Sequence, residues 1–364
     1  MVSFPLKDYY NMSKKVLHVV DGMHPKRGGV PMAVSNIIKL LQEAGLHHDI
    51  LSIGENIENM PFYVTGFATV SKFAISKKAV NWFKFNQGNY DLIHFHSLWN
   101  PTVLTIYKFC LKNHIDFYIS SHNSLDPFDI KKKAIAKKIL GHWFMNRVLN
   151  KAKYIFCTSE MEKERLHYFG RNTDNAVVLP LPVDYDGILH GNGNRFRTKY
   201  GIAPDQFVFL SVSRIDKKKA IDVFINTLAA LGKGDEKFKE NIRFIIAGDD
   251  KNAHSNELKA LVEKNKLEKV VQFIGLITGT DKADAFVGSN LFVLPSKNEN
   301  FGLSIIESLQ AATPVLISEN VYIYKDLFNE FHQPGWLCNS SLDDLLAITA
   351  TALNEKDYTN KKAE

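Results

Sequence analysis

The recurrence of short apolar runs, separated by stretches with helical spacing, limits this chain more than any other feature. Lys15-Val-Leu-His-Val-Val20 is the first, and strand-like segments follow at His48 to Ile53, Asp91 to Phe95, Asp116 to Ser121 and Lys153 to Thr158. A second series runs through Gln206 to Arg214, Phe244 to Asp249, Val270 to Gly275, Leu291 to Pro295 and the strand opening with Thr313-Pro-Val-Leu. Apolar runs this short suit strands buried on both faces of a parallel sheet, and their alternation with helices signals an α/β fold. At 364 residues the chain exceeds one ordinary core, so two domains are expected. We expect the first at 1–185 and the second at 201–364, joined by a Gly- and Asn-rich linker over 186–200 that carries the hinge.

A content of 45% hydrophobic and 23% charged residues is that of a soluble globular protein. No run of eighteen apolar residues occurs, and the N-terminal Met-Val-Ser-Phe-Pro-Leu-Lys-Asp lacks the apolar core of a signal peptide, which predicts a cytoplasmic protein. Cys110, Cys157 and Cys338 are odd in number and widely spaced, so reduced thiols are expected. Asp249 and Asp250 lack the further ligands of a metal cage, and no metal or cofactor is expected. The net charge of +6 is unevenly shared: residues 1–182 carry 23 Lys and Arg against 14 Asp and Glu, the remainder 22 against 25. A cationic half points to nucleic acid, an anionic membrane or an anionic substrate. No recognition-helix, zinc-finger or aromatic RNA-binding signature occurs, so nucleic acid is not expected as a partner. Lys131, Lys132, Lys133, Lys137 and Lys138 surround an apolar stripe of Ile135, Ile139, Trp143 and Val148, and Ser71 to Phe85 mixes lysines with Phe and Trp. Such segments either pack on their own domain or lie on an anionic membrane.

Leu294-Pro-Ser-Lys-Asn-Glu-Asn-Phe-Gly-Leu-Ser-Ile-Ile-Glu307 compresses the end of a buried strand, a polar turn and a helix beginning near Gly302. The first amides of that helix are free, and with the helix dipole at the carboxyl edge of a parallel sheet they attract phosphate. Glu299 falls in the loop and Glu307 about one and a half turns inside the helix, so each can accept hydrogen bonds from a different hydroxyl-bearing part of one ligand. Upstream, Arg214 is followed by Lys217-Lys218-Lys219 at a helix start, where cations oppose the macrodipole and an anion would relieve the conflict. Nearer the N-terminus, Gly28-Gly29 precedes a helix expected over Pro31 to Glu43, which puts bare amides at Gly29, with Lys26 and Arg27 beside them.

Glu299, seven residues and Glu307, set within Pro-Ser-x-x-Glu-x-Phe-Gly-Leu and followed by Ala-Thr-Pro-Val, resembles the signature of the retaining glycosyltransferases of family 4. The resemblance covers residues 14–350, patchily in the first half and densely from Arg214 onward. It implies the GT-B fold, two Rossmann-like domains facing each other across a cleft. It further implies that Glu299 faces the donor sugar, that Glu307 holds the ribose hydroxyls, and that the amides of Phe301, Gly302 and Leu303 meet the diphosphate. Arg214 and Lys219 match two family cations that grip the diphosphate, with Ala220 where the family has Gly. The family's glycine loop places Gly29 near donor phosphate or acceptor, and its base-reading segment falls near Phe273 and Gly275. Asp91-Leu-Ile-His-Phe-His-Ser-Leu-Trp99 and Ile119-Ser-Ser-His-Asn-Ser-Leu-Asp-Pro127 resemble paired family segments, which puts His122 against the donor sugar and His96 near the acceptor. Relatives usually continue with a helix that crosses back to the first domain, whereas this chain stops soon after a helix expected over Leu342 to Leu353.

The chemistry so implied is a retaining front-face displacement in which the departing phosphate takes the acceptor proton, with closure of the two domains excluding water. His122, Glu299, Arg214 and Lys219 form the expected catalytic set; Gly29, Phe301, Gly302, Leu303 and Glu307 complete the donor contacts. The expected donor is a nucleotide-diphosphate sugar, UDP first, and the acceptor a polyprenyl-diphosphate-linked glycan at the inner face of the cell membrane. Rival readings are an epimerase of the same fold and a non-catalytic glycan-binding scaffold. A dinucleotide dehydrogenase is disfavoured because Gly28-Gly29-Val-Pro is not the spaced three-glycine fingerprint.

Overall fold

The computed structural model describes residues 15–24, 29–54, 64–68, 75–125, 144–166, 174–183, 186–331 and 334–354. The chain divides into two compact units, residues 1–182 and 183–364. Unit 1 holds strands β1 (Lys15–Val20), β2 (His47–Gly54), β3 (Val64–Ala68), β4 (Leu92–Phe95), β5 (Tyr118–Ser120), β6 (Tyr154–Cys157) and β7 (Ala176–Val178). They form one sheet in the order β3-β2-β1-β4-β5-β6-β7, every neighbouring pair parallel. Its helices are α1 (Gly29–Glu43), α2 (Lys77–Asn86), α3 (Pro101–Asn113), α4 (Asn146–Lys151) and α5 (Glu160–Arg165). Helix α3 illustrates how local chemistry sets these ends. The Asn100 side chain accepts from the Thr102 amide, Pro101 occupies the first turn, and His114 closes the helix with a left-handed φ of 54°. Between those ends Val103, Ile106, Tyr107 and Cys110 are buried in a core with Phe95 and Phe117.

Unit 2 holds β8 (Phe207–Val212), β9 (Ile242–Ala247), β10 (Val271–Gly275), β11 (Leu291–Leu294), β12 (Val315–Ser318) and β13 (Gly335–Cys338). The order is β10-β9-β8-β11-β12-β13, again all parallel. Its helices are α6 (Asp186–Leu189), α7 (Gly193–Lys199), α8 (Ile221–Leu231), α9 (Glu236–Asn241), α10 (Ala253–Lys264), α11 (Gly279–Gly288), α12 (Leu303–Gln310), α13 (Tyr324–Glu330) and α14 (Leu342–Asn354). Strand β11 is buried along its whole length, as its continuous apolar run requires. In each sheet strand order reverses once, between β1 and β4 in unit 1 and between β8 and β11 in unit 2. Ligands of open α/β sheets gather at the carboxyl ends of strands beside such a reversal.

One expectation is corrected. Residues 186–200 do not form a loose linker; they carry α6 and α7, which pack on α11 within unit 2. The Gly and Asn content has a packing origin. A Cβ on Gly191 would lie 2.7 Å from the Ala283 carbonyl oxygen and one on Gly193 2.8 Å from the Gly288 Cα, so only glycine lets these backbones meet. Asn192 caps α7, and its own amide donates to Asp284. The Arg195 guanidinium also pairs with Asp284.

Among the described residues no helix is long and apolar enough to cross a membrane. The basic stretch from Lys131 to Lys138, Ser71 to Ala74, and Lys26 and Arg27 lie outside the described residues. Helix α2 is described. Its Lys77, Lys78 and Lys84 are exposed, the last with its ammonium over the Phe109 ring, and Phe85 is 89% exposed.

Candidate functional site

In unit 2 the loops after β8 and β11 are neighbours because those strands pair, with Leu291 opposite Phe209 and Phe292 opposite Leu210. The first loop runs from Arg214 to Ala220, the second from Pro295 to Gly302. A backbone hydrogen bond from the Lys297 amide to the Lys218 carbonyl, 2.7 Å, ties them together. Across this junction the Lys219 ammonium ion-pairs with the Glu299 carboxylate, both groups largely buried. The Glu299 backbone is fixed in turn. Its amide donates to the Asn320 carbonyl and its carbonyl accepts from Tyr322, a one-residue parallel bridge to Val321.

The second loop ends at Gly302, whose φ of 65° lies in the left-handed region. It opens α12 with no side-chain cap, and the Ile305 amide turns back to the Gly302 carbonyl. Phe301 is buried and anchors the turn, and Gly302, having no side chain, offers no cap to the first amides of α12. Inside α12, Glu307 is nearly buried and ion-pairs with Lys282 of α11. The loops and helix start that the sequence marked therefore converge at the reversal of the second sheet. Two carboxylates there are each held by a lysine, beside an uncapped helix N-terminus that favours anions.

Several placements refine the expectation. The lysines lie in a short 3₁₀ helix, Lys217–Lys219, which is capped by Asp216 and leads directly into α8. Their positive charge meets the protein's own carboxylates, Lys217 with Glu257 at 3.2 Å and Lys219 with Glu299. Arg214 is more exposed and lies 3.4 Å from Asp216. Asp250 pairs with Lys259 at 2.8 Å, and Lys259 also sits over the ring of Phe273. Gly275, with a φ of 74°, ends β10 and accepts the Gly248 amide on its carbonyl. Gly29 is the first residue of α1, exposed, with open space where a Cβ would lie, so no steric demand for glycine exists there.

In unit 1, His96 and His122 both sit just beyond the carboxyl ends of their strands, and the His96 amide donates to the Val19 carbonyl of β1. They are hydrogen-bonded to each other, Nδ1 of His96 to Nε2 of His122 at 3.0 Å. His96 Nε2 meets His18 Nδ1 at 2.9 Å, and His18 Nε2 meets His48 Nδ1 at 3.2 Å. His94 packs its ring against His96, centroids 4.0 Å apart, and its Nε2 is hydrogen-bonded to Ser120 Oγ at 2.9 Å. Burial, reinforced by neighbouring imidazoles, pulls His18 and His96 well below the usual histidine value and His94 down to about 3. Burial likewise brings His48 to about 4. His122 is lowered by burial against the opposing pull of the Glu162 and Asp21 carboxylates. Among the described residues, His18, His94 and His96 are the group whose nitrogens are close enough to share a metal. A bound zinc would need His18 Nδ1 and His96 Nε2 both bare and about 3.3 Å apart. At 2.9 Å they are hydrogen-bonded to each other, so we read these residues as a hydrogen-bonded network.

Residues 27–186 match the family described as Glycosyltransferase Family 4, and residues 193–363 match Glycosyl transferases group 1. The two units are glycosyltransferase domains. The O-antigen biosynthesis glycosyltransferase WclY of Escherichia coli is 24% identical over 327 residues, spanning 87% of this chain and 83% of its own. The alpha-monoglucosyldiacylglycerol synthase of Streptococcus pneumoniae (strain ATCC BAA-255 / R6) is 25% identical over 199 residues, 53% of this chain and 44% of its own. Among solved structures, Anabaena Alr3699/HepE in complex with UDP and glucose superposes with a TM-score of 0.78 at 18% identity, covering 96% of this chain and 92% of that one. The fold is GT-B, two Rossmann-like α/β domains.

Two residues of this glycosyltransferase escaped the sequence reading. Lys282 lies in Gly-Thr-Asp-Lys-Ala-Asp, where nothing in the spacing singles it out; only the packing of α11 on α12 brings it to Glu307. Glu162 looks like a surface glutamate of a charged helix start, yet it is buried and accepts from Ser121 Oγ, the amides of Asn123 and Thr158, and Thr158 Oγ1 at 2.5 to 2.8 Å. Those bonds hold the turn in which His122 and Asn123 both have positive φ, 43° and 64°.

Proposed function

We propose that this glycosyltransferase is a retaining enzyme that moves a hexosyl group from a UDP-sugar to a glycan acceptor in cell-surface polysaccharide biosynthesis. The observation that carries this reading is the meeting of Lys219 and Glu299 beside the uncapped start of α12, at the strand-order reversal of the second sheet. A diphosphate needs amide donors and cations, which this junction supplies. Its arrival would draw Lys219 off Glu299, and that carboxylate then accepts from hydroxyls of the donor sugar. Glu307, steadied by Lys282, takes the ribose hydroxyls. Arg214, exposed at the rim, and Lys219 stabilise the charge that develops on the departing phosphate, the largest contribution such a site makes. Uridine is favoured because the Anabaena structure binds UDP, and the glycan acceptor by the O-antigen role named for WclY. No metal or cofactor enters the scheme. The exposed lysines and Phe85 of α2 support a peripheral position on anionic membrane, where a polyprenyl-diphosphate-linked acceptor resides.

The test is release of nucleotide diphosphate from a panel of nucleotide sugars with a lipid-linked glycan present. Lys219→Ala and Glu307→Ala are each expected to lower the rate at least tenfold, about 1.4 kcal/mol in barrier, while remaining folded by circular dichroism. Transfer at the parent rate by both variants would remove this site from the mechanism.

A further inference from the structure

Ser159-Glu-Met-Glu162 has the spacing of a capping box, in which the glutamate at the third helical position turns back to the amide of its own cap residue. The serine half of that device is present in α5, where the Ser159 hydroxyl accepts from the Glu162 amide at 3.1 Å. The carboxylate reaches farther. One oxygen accepts from the Thr158 amide and hydroxyl at 2.7 and 2.8 Å. The other crosses to the loop after β5 and accepts from Ser121 Oγ at 2.5 Å and the Asn123 amide at 2.7 Å. That loop is a tight turn, with the Ser124 amide donating to the Ser121 carbonyl at 2.9 Å and His122 and Asn123 as its central residues. Both central residues have positive φ, 43° and 64°, a conformation that costs any L-residue and persists where the surroundings over-determine it. The surroundings here are two neighbouring elements. Glu162 of α5 holds the first part of the turn, and the Trp99 indole, from the loop after β4, donates to the Ser124 carbonyl at 2.7 Å.

The side chain placed in this way is His122, whose Nε2 meets Nδ1 of His96 at 3.0 Å with the two rings stacked at 24°. An imidazole points where its backbone aims it, and the backbone of His122 is held on both sides by bonds to one carboxylate, at Ser121 and at Asn123. A turn that only joined β5 to the next segment could relax out of the left-handed region. Strain maintained from neighbouring elements marks a side chain whose direction is used. We propose that Glu162 is a positioning residue for sugar transfer, which fixes the left-handed turn at Ser121–Ser124 and so places the His122 imidazole. Glu162 is itself buried, so it acts through that ring and touches no substrate. The catalytic consequence rests on the reading of His122 as a donor-sugar contact; the placement of the ring does not.

Glu162→Gln keeps the size of the side chain. Whichever way its amide is turned, an NH2 group faces the backbone amide of Asn123 or of Thr158, and one of these loses its acceptor. Placement is read without ligand in histidine-labelled protein, as the NOE between the His96 and His122 rings, assigned by its loss in His122→Ala. It is expected to weaken in Glu162→Gln while the ring signals of His254 in unit 2 stay in place. An unchanged NOE in the folded variant overturns the placement. Should Glu162→Gln not fold, Ser121→Ala, which removes one bond and keeps the carboxylate, is read in the same way. Transfer is read as a double-mutant cycle, with the nucleotide sugar and acceptor that the parent turns over. His122→Ala and Glu162→Gln are each expected to lower kcat about tenfold, with UDP affinity by calorimetry within about twofold of the parent. The double variant is expected to be no slower than His122→Ala alone. Losses that multiply would show Glu162 acting apart from His122, as a merely structural residue does, and overturn the proposal. Parent kcat in Glu162→Gln beside a slow His122→Ala overturns it too and leaves the donor-sugar reading intact. Parent kcat in His122→Ala removes that reading and the catalytic consequence with it, while the NOE still decides the placement.

Discussion

Ala220 carries a conflict that one atom group explains. Buried between the lysine turn and α8, it has φ 52° and ψ 33°, a left-handed conformation that an L-residue adopts at a cost of roughly 1–2 kcal/mol. The resemblance to family 4 puts glycine here, and the structure supplies the reason. We expect Ala220→Gly to raise stability by about 1 kcal/mol once the added freedom of the unfolded chain is deducted, seen as a higher urea midpoint at constant slope. A lower midpoint would mean that the buried methyl contributes more than the strain costs. Glu162 is the opposite case, a residue whose removal strands its partners. In Glu162→Ala two hydroxyls and two amides lose their acceptor, at a cost of about 3 kcal/mol or more, and the left-handed turn at His122 and Asn123 loses its tether. Hydrogen exchange over residues 121–125 should accelerate well beyond that of β4; uniform protection across the unit would show that the turn holds itself.

Helices α6 and α7 show what the sequence could and could not carry. The strands were legible because an apolar run buried on both faces declares itself without knowledge of its neighbours, as Leu291–Leu294 does. The loop after β11 was legible because its glycine, carboxylates and helix start lie within a few residues. Glycines that serve contact between distant elements carry no such mark. Gly191 and Gly193 read as linker, because Ala283, Val287 and Gly288 are about ninety positions away along the chain. Lys282 and Glu162 were missed for the same reason: each meets its partner across elements. Strand β3 at the sheet edge has Gly66 amid Val64-Thr-Gly-Phe-Ala and lacks a continuous apolar run. The packing account of α7 makes its own prediction. Gly193→Ala puts a methyl 2.8 Å from the Gly288 Cα, against backbone that cannot swing aside, and should destabilise unit 2 by about 1–3 kcal/mol. Thermal unfolding followed by Trp336 fluorescence would register it; an unshifted transition would mean that α7 undocks without consequence.

The two units should differ in their response to acid. In unit 1, buried histidines titrate below their unfolded value of about 6.5, with His48 at about 4 and His94 at about 3. Between those values and 6.5 the unfolded chain binds protons that the folded one refuses, so stability is intact above pH 6.5 and falls as the pH drops. At pH 5 the loss is roughly 2 kcal/mol for each of these two, with His18 and His96 acting in the same direction. Unit 2 depends on carboxylates instead. Lys259 lowers Asp250, His254 and Lys217 lower Glu257, and at Asp284 burial is the largest single influence and opposes the shift, but Arg195, the Asn192 amide and Lys199 together outweigh it. Stabilisation from lowered carboxylates persists until the pH falls through about 4, near their unfolded values. Acidification from pH 7 to pH 5 should therefore loosen β1, β2, β4 and β5 while β8 to β13 keep their protection. Hydrogen exchange read by mass spectrometry, corrected for the intrinsic pH dependence of exchange, separates the sheets within one intact chain. Equal loss in both would mean that the buried histidines are hydrated enough to accept protons in the folded state, and their neutrality there would have to be given up.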